Sequence, residues 1–366
     1  MRIFILSDAN SIHTKRWITS LCKYNIEIFL FSFRDDVGNY YTSFSNLKFF
    51  GCHIHSQETF FEKAKYLTFL QILKRKILEF APNILHAHYA SSYGLLGALT
   101  NFHPYVVSVW GSDIYDFPRK TLLHNRILRY ILFKADKVLS TSHVMANETS
   151  KYTDKNIEIT PFGVDTSLFK KIDIEKEEEK LIIGNVKSLS CIYGIDILIE
   201  AFSIVSKKNP NINLKLEIVG DGPDKDKLKA LTLSLGISNQ VCFVGRVENN
   251  TLPRYYSHFS VAVFPSVSES FGVVAVEAMA CECPVVTSDA DGFTEVVVDG
   301  QTGFIVPKKD IENTAKAIQR FIDNPELRSL MGRKGRERVL KLYNWDDNVN
   351  AMISIYQQIM CEWKRH

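Results

Sequence analysis

Short apolar runs rich in β-branched residues alternate with longer amphipathic stretches from one end of the chain to the other. This alternation is typical of β-α-β units, in which helices cover both faces of a parallel sheet. The sequence therefore predicts an α/β fold. The predicted strands are Arg2–Leu6, Ile26–Phe31, Leu47–Gly51, Ile84–His86, Tyr105–Val109, Lys137–Ser140, Ile157–Ile159, Leu181–Asn185, Lys215–Val219, Val241–Val244, Val261–Pro265 and Val285–Thr287.

The alternating pattern is interrupted at residues 170–180, where Glu175–Lys180 is charged and has no apolar period. With 366 residues, the chain is also longer than one hydrophobic core usually holds. A strand, a polar turn and a helix at Gly194–Ser206 then restart the pattern, which predicts two Rossmann-like units in series. The predicted domains are residues 1–170 and 171–344, with residues 345–366 as a C-terminal helix that packs back on the first domain.

The net charge of +3 conceals a difference between the two halves. Residues 1–170 contain 20 basic and 14 acidic side chains, whereas the rest of the chain contains 24 basic and 27 acidic ones. The first half therefore favours an anionic neighbour. Because the overall excess is small and no recognition motif accompanies it, we expect no nucleic-acid partner.

Seven scattered cysteines, most of them in apolar runs, indicate a reducing compartment. Cys281 and Cys283 have no second pair at zinc-ligand spacing, and no Asp-x-Asp ends a strand, so the sequence predicts no metal site. The N-terminus turns polar after a short apolar run, and no apolar run reaches the ~18 residues of a membrane span. We therefore expect a cytoplasmic protein.

The strongest local motif lies at residues 265–286. A predicted strand ends at Pro265, and Gly272 precedes an apolar helix whose first N–H groups are available to a phosphate or a hydroxyl. Glu269 lies in the loop and Glu277 lies on the helix, where carboxylates can bind the vicinal hydroxyls of a ribose or a hexose. The same pattern also fits an acid that stabilises the helix dipole at Glu269 and a solvated Glu277.

This glutamate pair, with Phe271-Gly272 inside it and Ala-Met-Ala-x-x-x-Pro-Val-Val after it, resembles the retaining family-four glycosyltransferases of the GT-B fold. Further segments resemble motifs of that family in the same order along the chain, at residues 161–169, 218–223, 241–246 and 291–304. The resemblance implies two Rossmann-like domains that face an interdomain crevice. It also implies transfer of a hexose or N-acetylhexosamine from a nucleotide-sugar to a sugar or lipid-linked glycan, with retention.

The resemblance places the donor on the second domain. It makes Glu277 the ligand of the ribose and Glu269 the ligand of the hexose hydroxyls, with Glu295 supporting the donor loop from the rear. It assigns the N–H groups near the sugar and the distal phosphate to Phe271, Gly272 and Val273. It assigns the contacts to the base to Arg246 and Val247, and the strand-end glycine turn contains Gly220.

Stabilisation of the departing diphosphate requires positive charge. By resemblance, Lys187 supplies one catalytic cation, whereas Tyr193 replaces the second lysine of the family. A phenol hydroxyl donates a hydrogen bond but carries no charge. Tyr193 is therefore either a phosphate contact or a packing residue at the start of a helix.

The first domain departs from the family in two loops. Asn10 and Ser11 stand where the family has a Gly-Gly turn beside the phosphates, and they can supply turn N–H groups. Trp110 replaces the histidine of a strand-end His-Gly-x-Asp motif, and an indole cannot accept a proton. The expected catalytic groups of this domain are then Asp113 and His88, although a histidine after an apolar strand is often structural.

No carboxylate can be assigned as a nucleophile, which favours front-face substitution in which the departing phosphate takes the proton of the acceptor hydroxyl. No cofactor is expected, because a UDP- or GDP-sugar is the substrate. The expected acceptor is a glycan or a polyprenyl-linked sugar. Basic helices at residues 60–78 and 119–130 suit an anionic membrane at its cytoplasmic face, and an ordinary solvated helix face explains them as well.

Two other functions stay open. Tyr193 and Trp110, where lysine and histidine are usual, suggest a donor-binding pseudoenzyme or a structural partner in a glycan-assembly complex. A GT-B epimerase or phosphorylase is a further alternative, which the glutamate pair opposes weakly.

Overall fold

A computed structural model describes residues 1–52, 65–174 and 180–365. The chain divides into two compact units. The first unit contains Met1–Pro161 and Asn348–His366, and the second contains Phe162–Asp347.

Residues 162–170, predicted as the end of the first domain, lie in the second compact unit, where they contact α13, defined below, and the residues that follow it. Val164 forms a parallel bridge with Asn344. The guanidinium of Arg336 donates to the carbonyl oxygens of Thr166 at 3.0 Å and Phe169 at 2.5 Å. The second compact unit begins at Phe162 and ends at Asp347, whereas the predicted second domain spans residues 171–344. Residues 175–179 of the predicted linker lie outside the described residues.

A seven-stranded parallel sheet forms the centre of the first unit, in the order β3-β2-β1-β4-β5-β6-β7. Its middle strands β4 and β5 are buried along their whole length, as apolar runs covered by helices on both faces should be. All the strands predicted for this half are present, with small shifts at their ends. They are β1 (Arg2–Leu6), β2 (Glu27–Ser32), β3 (Leu47–Gly51), β4 (Ile84–His88), β5 (Tyr105–Val109), β6 (Lys137–Ser140) and β7 (Ile157–Ile159).

Helices connect these strands, and two of them begin at a side-chain cap. The hydroxyls of Thr121 and Ser142 accept the N–H groups of His124 and Met145, which stabilises the first turns of α5 and α6 defined here. Helix α3 contacts both α2 and α5. The α-helices are α1 (Ile12–Leu21), α2 (Leu70–Phe80), α3 (Ser92–Thr100), α4 (Ser112–Tyr115), α5 (Leu122–Lys134) and α6 (His143–Thr149), with 3-10 helices at Lys65–Phe69 and Phe117–Arg119.

A six-stranded parallel sheet forms the centre of the second unit, in the order β10-β9-β8-β11-β12-β13. Strand β13 was not predicted, because its apolar run is short and begins with Gly303. A Cβ at Gly303 would lie 2.5 Å from the Val285 carbonyl oxygen, so only glycine allows this close approach. The strands are β8 (Lys180–Val186), β9 (Asn213–Val219), β10 (Val241–Gly245), β11 (Val261–Phe264), β12 (Val285–Ser288) and β13 (Gly303–Val306).

The helices of the second unit differ in how deeply they are buried. Helix α10 is apolar except for Glu277 and is buried from Ala275 to Ala280, whereas α12 buries one face and exposes the other. The α-helices are α7 (Ile195–Lys208), α8 (Lys225–Ser234), α9 (Leu252–His258), α10 (Val273–Ala280), α11 (Asp291–Val296), α12 (Ile311–Asp323) and α13 (Pro325–Leu342). The 3-10 helices are Cys191–Tyr193, Ser238–Gln240 and Asn249–Thr251.

The last helix, α14 (Trp345–Trp363), belongs to the first unit from Asn348 onward. The hydroxyl of Tyr356 lies 2.6 Å from Nδ1 of His86 on β4, and the Tyr24 hydroxyl donates to Asn350 at 3.0 Å. None of the helices in the described ranges is long and apolar enough to cross a membrane.

Because the strands of each sheet are parallel, the loops that follow them lie at one edge of the sheet. In the second unit, the N–H of Gly220 after β9 donates to the Gly245 carbonyl at 2.9 Å. The N–H of Val267 after β11 donates to the Ile192 carbonyl at 2.8 Å. The loops after β8, β9, β10 and β11 are therefore tied together at this edge.

Candidate functional site

The loop between β11 and α10 carries the predicted sugar ligands. Gly272 has a φ of +91°, and a Cβ there would lie 2.7 Å from the ring of Phe293. Phe271 is 1% exposed and packs edge-on against Tyr343, with ring centroids 5.6 Å apart. The left-handed backbone of the glycine and the buried aromatic side chain therefore hold the loop in one conformation.

Three consecutive N–H groups of this loop lack a protein acceptor. Those of Phe271, Gly272 and Val273 donate to no carbonyl and no side chain within the described chain. They lie at the start of α10, where helix geometry leaves N–H groups unbonded and the helix dipole favours an anion. This arrangement can bind phosphate or sugar oxygens.

The first residues of α11 support the loop from the rear. The N–H of Gly292 donates to the Glu269 carbonyl at 2.9 Å, and a Cβ at Gly292 would lie 2.4 Å from the Phe271 nitrogen. The carbonyl of Glu295, the residue predicted to give this support, instead accepts from the Arg338 guanidinium at 2.8 Å. The segment that begins at Asp291 therefore lies against the loop between β11 and α10, and Gly292 rather than Glu295 makes the contact.

Glu277 on α10 is 6% exposed and accepts a hydrogen bond from the Tyr256 hydroxyl at 3.0 Å. Burial raises the pKa of Tyr256 well above its ordinary value, and the charge of Glu277 adds to the increase. The hydroxyl therefore stays protonated and orients the carboxylate. The sequence does not indicate a role for Tyr256, because this residue lies on α9 and no motif or spacing relates it to Glu277.

Lys187 and Glu269, the predicted catalytic pair of the second domain, form an ion pair. The distance from Nζ to Oε2 is 2.5 Å, and the two side chains are 13% and 12% exposed. The same Nζ lies 4.4 Å from the ring centroid of Tyr193. Tyr193 thus presents its aromatic face to the lysine that flanks the predicted diphosphate site.

Strands β9 and β10 end beside Lys187. Gly220 has a φ of +141°, and a Cβ there would lie 1.9 Å from the Lys187 carbonyl oxygen. Arg246 is exposed and Val247 is half-buried, and both directly follow β10. The second unit therefore brings the residues predicted for donor binding to one edge of its sheet.

Asp113 has an environment that argues against its predicted catalytic role. It is 1% exposed, and its carboxylate accepts the N–H groups of Ala90 at 2.7 Å and Gly111 at 2.8 Å. Burial raises its pKa, and these main-chain hydrogen bonds act in the opposite direction. The carboxylate joins the loop after β5 to the loop after β4.

His88 is also enclosed, at 2% exposure, which argues against its predicted catalytic role. Its Nδ1 lies 3.0 Å from the Ser7 hydroxyl, and its ring centroid lies 4.4 Å from that of Trp110. Burial lowers its pKa well below the ordinary value, and the neighbouring His86 adds to the decrease. The imidazole is therefore neutral and forms part of the interior of the first unit.

The turn at Asn10 and Ser11 uses the N–H groups that were predicted to reach phosphate. The N–H of Asn10 donates to the Asp8 carboxylate at 2.9 Å, and the N–H of Ser11 donates to the Asp8 carbonyl at 3.1 Å. The Asn10 side chain donates to Asp36 at 2.7 Å. The turn is thus closed on itself, which argues against the predicted phosphate contacts.

Within the ranges that the structure describes, no three His, Cys, Asp or Glu side chains are grouped so that they could hold a metal ion.

Two family models match successive parts of the chain. The model described as "Glycosyl transferase 4-like" matches residues 2–142, and the model described as "Glycosyl transferases group 1" matches residues 168–338. The chain belongs to the family-four glycosyltransferases. N-acetyl-alpha-D-glucosaminyl L-malate synthase of Bacillus anthracis is 26% identical to this glycosyltransferase over 293 residues, which are 76% of this chain and 75% of that protein.

Two solved structures resemble the glycosyltransferase over almost all of its length. Sucrose-phosphate synthase from Thermosynechococcus elongatus has a TM-score of 0.85 at 21% identity, over 99% of this chain and 100% of that one. HepE from Anabaena, solved with UDP and glucose, has a TM-score of 0.80 at 19% identity, over 98% and 99%. At such identities the likeness shows the fold, which confirms the predicted GT-B architecture of two Rossmann-like domains.

Proposed function

We propose that this glycosyltransferase moves a hexose or an N-acetylhexosamine from a nucleotide-sugar to a sugar or lipid-linked glycan, with retention of the anomeric configuration. The observation that carries the proposal is the ion pair of Lys187 and Glu269 beside the unbonded N–H groups of residues 271–273. A cation and main-chain donors suit a diphosphate, and a carboxylate suits sugar hydroxyls.

The donor binds the second unit. Glu277 accepts hydrogen bonds from the ribose hydroxyls, Glu269 accepts them from the hexose, and Lys187 contacts the diphosphate. Arg246 and Val247 hold the base at the end of β10. HepE, which shares the fold, was solved with UDP and glucose, and this supports a UDP-sugar ahead of a GDP-sugar.

The reaction is a front-face substitution. The acceptor oxygen bonds to the anomeric carbon on the side from which the diphosphate leaves, and the bond from that carbon to the phosphate oxygen breaks. The departing phosphate oxygen takes the proton of the acceptor hydroxyl. Lys187 stabilises the charge that develops on the leaving group, and the pairing of Glu269 with a cation supports its role as a sugar ligand rather than a nucleophile.

Two helices of the first unit support a lipid-linked acceptor at an anionic membrane surface. Leu122 and Phe133 on α5 are 82% and 73% exposed, and they share one exposed stripe of that helix with Arg126 and Arg129. Leu78 on α2 is 80% exposed. Exposed apolar side chains beside basic ones are typical of helices that bind anionic lipids. Residues 60–64 of the predicted basic stretch lie outside the described residues.

The proposal is tested with the full chain and three donors: UDP-glucose, UDP-N-acetylglucosamine and GDP-mannose. Thermal shift reports binding, and NMR reports both the release of nucleoside diphosphate and the anomer of the sugar that is released or transferred. We expect one base to stabilise the protein and the α anomer to form first. Glu277→Ala should abolish both effects, whereas Glu312→Ala, at an exposed position on α12, should change neither.

Three results would contradict the proposal in different ways. If none of the three donors bound, the proposed donor site would be wrong. Binding without turnover would favour the pseudoenzyme. An epimerised nucleotide-sugar, or a β anomer formed first, would replace the proposed reaction by another.

A further inference from the structure

The ammonium of Lys187 lies between two groups of different character. On one side it forms the 2.5 Å ion pair with Glu269, and on the other it lies 4.4 Å from the ring centroid of Tyr193. Both ionic side chains are almost enclosed, at 13% and 12% exposure. A partly desolvated cation over an aromatic face is attracted more strongly than one in water. The ring is therefore a real electrostatic partner of the lysine.

Main-chain contacts that do not involve the lysine side chain fix the turn that carries Tyr193. Residues 191–193 form a 3-10 turn that ends at Gly194, where φ is +64° and a Cβ would lie 2.2 Å from the Pro265 carbonyl oxygen. The N–H of Val267 donates to the Ile192 carbonyl at 2.8 Å. The turn that carries Tyr193 is thus joined to the loop that carries Glu269.

The backbone of Lys187 is fixed as well. Its N–H donates to the Val219 carbonyl at 3.0 Å, and its own carbonyl lies against Gly220, where a Cβ would be 1.9 Å away. The Lys187 side chain therefore extends from a fixed backbone, and its ammonium lies between the carboxylate and the ring.

The two partners respond differently to an incoming diphosphate. Glu269 is an anion and competes with the diphosphate for the ammonium, so a diphosphate can replace it. The ring of Tyr193 is neutral and binds a different side of the cation, so it does not compete. The Lys187 ammonium can therefore bind the diphosphate while it keeps its contact with the Tyr193 ring.

We infer that Tyr193 is a positioning residue for Lys187: its aromatic face holds the ammonium at the diphosphate site while Glu269 is released to the hexose. This inference rests on the proposed function. It gives Tyr193 a role in which the ring acts and the hydroxyl does not. The chain thereby uses one ring-supported cation where a second lysine is otherwise expected.

Calorimetric titration of the full chain with UDP and with GDP, each separately, tests the inference. Tyr193→Leu removes the ring, and we expect it to weaken binding of the nucleotide that the wild type binds by roughly 5- to 30-fold, the range of a desolvated cation–π contact. Tyr193→Phe keeps the ring and should bind within about twofold of the wild type. Equal losses in both variants, or no loss in either, would overturn the inference.

A double-mutant cycle separates positioning from a general loss of structure. In a Lys187→Met background the ring has no ammonium to hold, so Tyr193→Leu should cause no further loss of nucleotide affinity. The nucleoside without its diphosphate should bind Tyr193→Leu as it binds the wild type. Additive losses in the double variant, or a parallel loss of nucleoside binding, would contradict positioning. If the wild type binds neither nucleotide, the proposed donor site itself fails, which is a distinct outcome.

Discussion

Single side chains that are remote in sequence orient the carboxylates of the proposed donor site. Tyr256→Phe removes the hydroxyl that donates to Glu277 at 3.0 Å and leaves the ring in place. We expect KM for the donor to rise about tenfold with kcat nearly unchanged, because a hydrogen bond to a charged group contributes about 1.5 kcal/mol or more. Steady-state kinetics measure this. Tyr255→Phe on the same helix is the matched control, and equal changes in the two variants would show that the effect is not specific to Glu277.

Two features of position 272 require glycine: its left-handed backbone and the close approach of the Phe293 ring. Gly272→Ala places a Cβ 2.7 Å from Phe293 at a φ of +91°, whereas Gly300→Ala meets no atom within 4 Å at a φ of +70°. We expect Gly300→Ala to reduce the free energy of unfolding by about 1 kcal/mol through backbone strain alone. Gly272→Ala should reduce it by about 2 to 4 kcal/mol, because the collision is added. Urea unfolding of the two variants compares the costs, and similar values would refute the account of this loop.

Residue roles in the first unit were the least predictable part of the site. Asp113, His88, Asn10 and Ser11 have the residue types that bind ligands, and they lie at the ends of strands, at the starts of helices or in the turn before a helix. Their hydrogen bonds to Ala90, Ser7 and Asp8 occupy them within the protein. Such partners come from neighbouring loops that are distant in sequence, and no local pattern reveals them.

Elements were predicted well where the apolar period was clear. The strands of the first sheet and helices α7 and α14 follow directly from their hydrophobic patterns. Strand β13 was missed because Gly303 begins it and its pairing with β12 is a tertiary contact. The predicted boundary at residue 170 follows the charged run, whereas the compact units divide after Pro161. The contacts of Val164 with Asn344 and of Phe169 with Arg336 are not visible in the sequence.

The exposed stripe of α5 makes a prediction at the scale of a helix. Replacing both Leu122 and Phe133 by serine should reduce binding to vesicles of phosphatidylglycerol by at least about tenfold, because each apolar side chain contributes about 1.5 kcal/mol or more on burial. Vesicle sedimentation measures this, and binding of the wild type should also weaken with salt. Leu233→Ser, at a leucine of the second unit that is 74% exposed, is the control. Equal vesicle binding by the wild type and all variants would show that the exposed stripe of α5 does not bind the membrane.

Buried histidines should make the stability of the whole molecule depend on pH. Burial lowers the pKa of His86 to about 3 and, with Arg16 nearby, that of His13 to about 4. These rings stay neutral when folded but take up protons in the unfolded chain below about pH 6.5, so stability should fall as the pH is lowered from about 7 to 5. Each fully buried histidine contributes a slope approaching about 1.4 kcal/mol per pH unit below that value.

Urea unfolding at about pH 7 and at about pH 5 measures this dependence of stability on pH. His86→Gln, which can still hydrogen-bond to Tyr356 and Ser108, should reduce the difference in stability between the two pH values. His143→Gln, at an exposed position, should leave that difference unchanged. An unchanged difference in His86→Gln would contradict the assignment.

The charge difference between the two halves of the chain corresponds to the division into two units. The more acidic second unit holds Lys187, Glu269 and Glu277 at one sheet edge, and the more basic first unit carries the exposed stripe of α5. Donor binding and acceptor binding are thus assigned to separate units. This division is the central claim of the proposed function.

Hydrogen–deuterium exchange of the full chain, measured without donor, with UDP-glucose and with GDP-mannose, tests whether the donor binds the second unit. We expect one donor to slow exchange at residues 187–194, 219–222, 245–247 and 269–277, with much smaller changes in α2 and α5. Glu277→Ala should remove this protection. Protection confined to the first unit, or no protection in the second unit by either donor under conditions in which the protein turns that donor over, would contradict it.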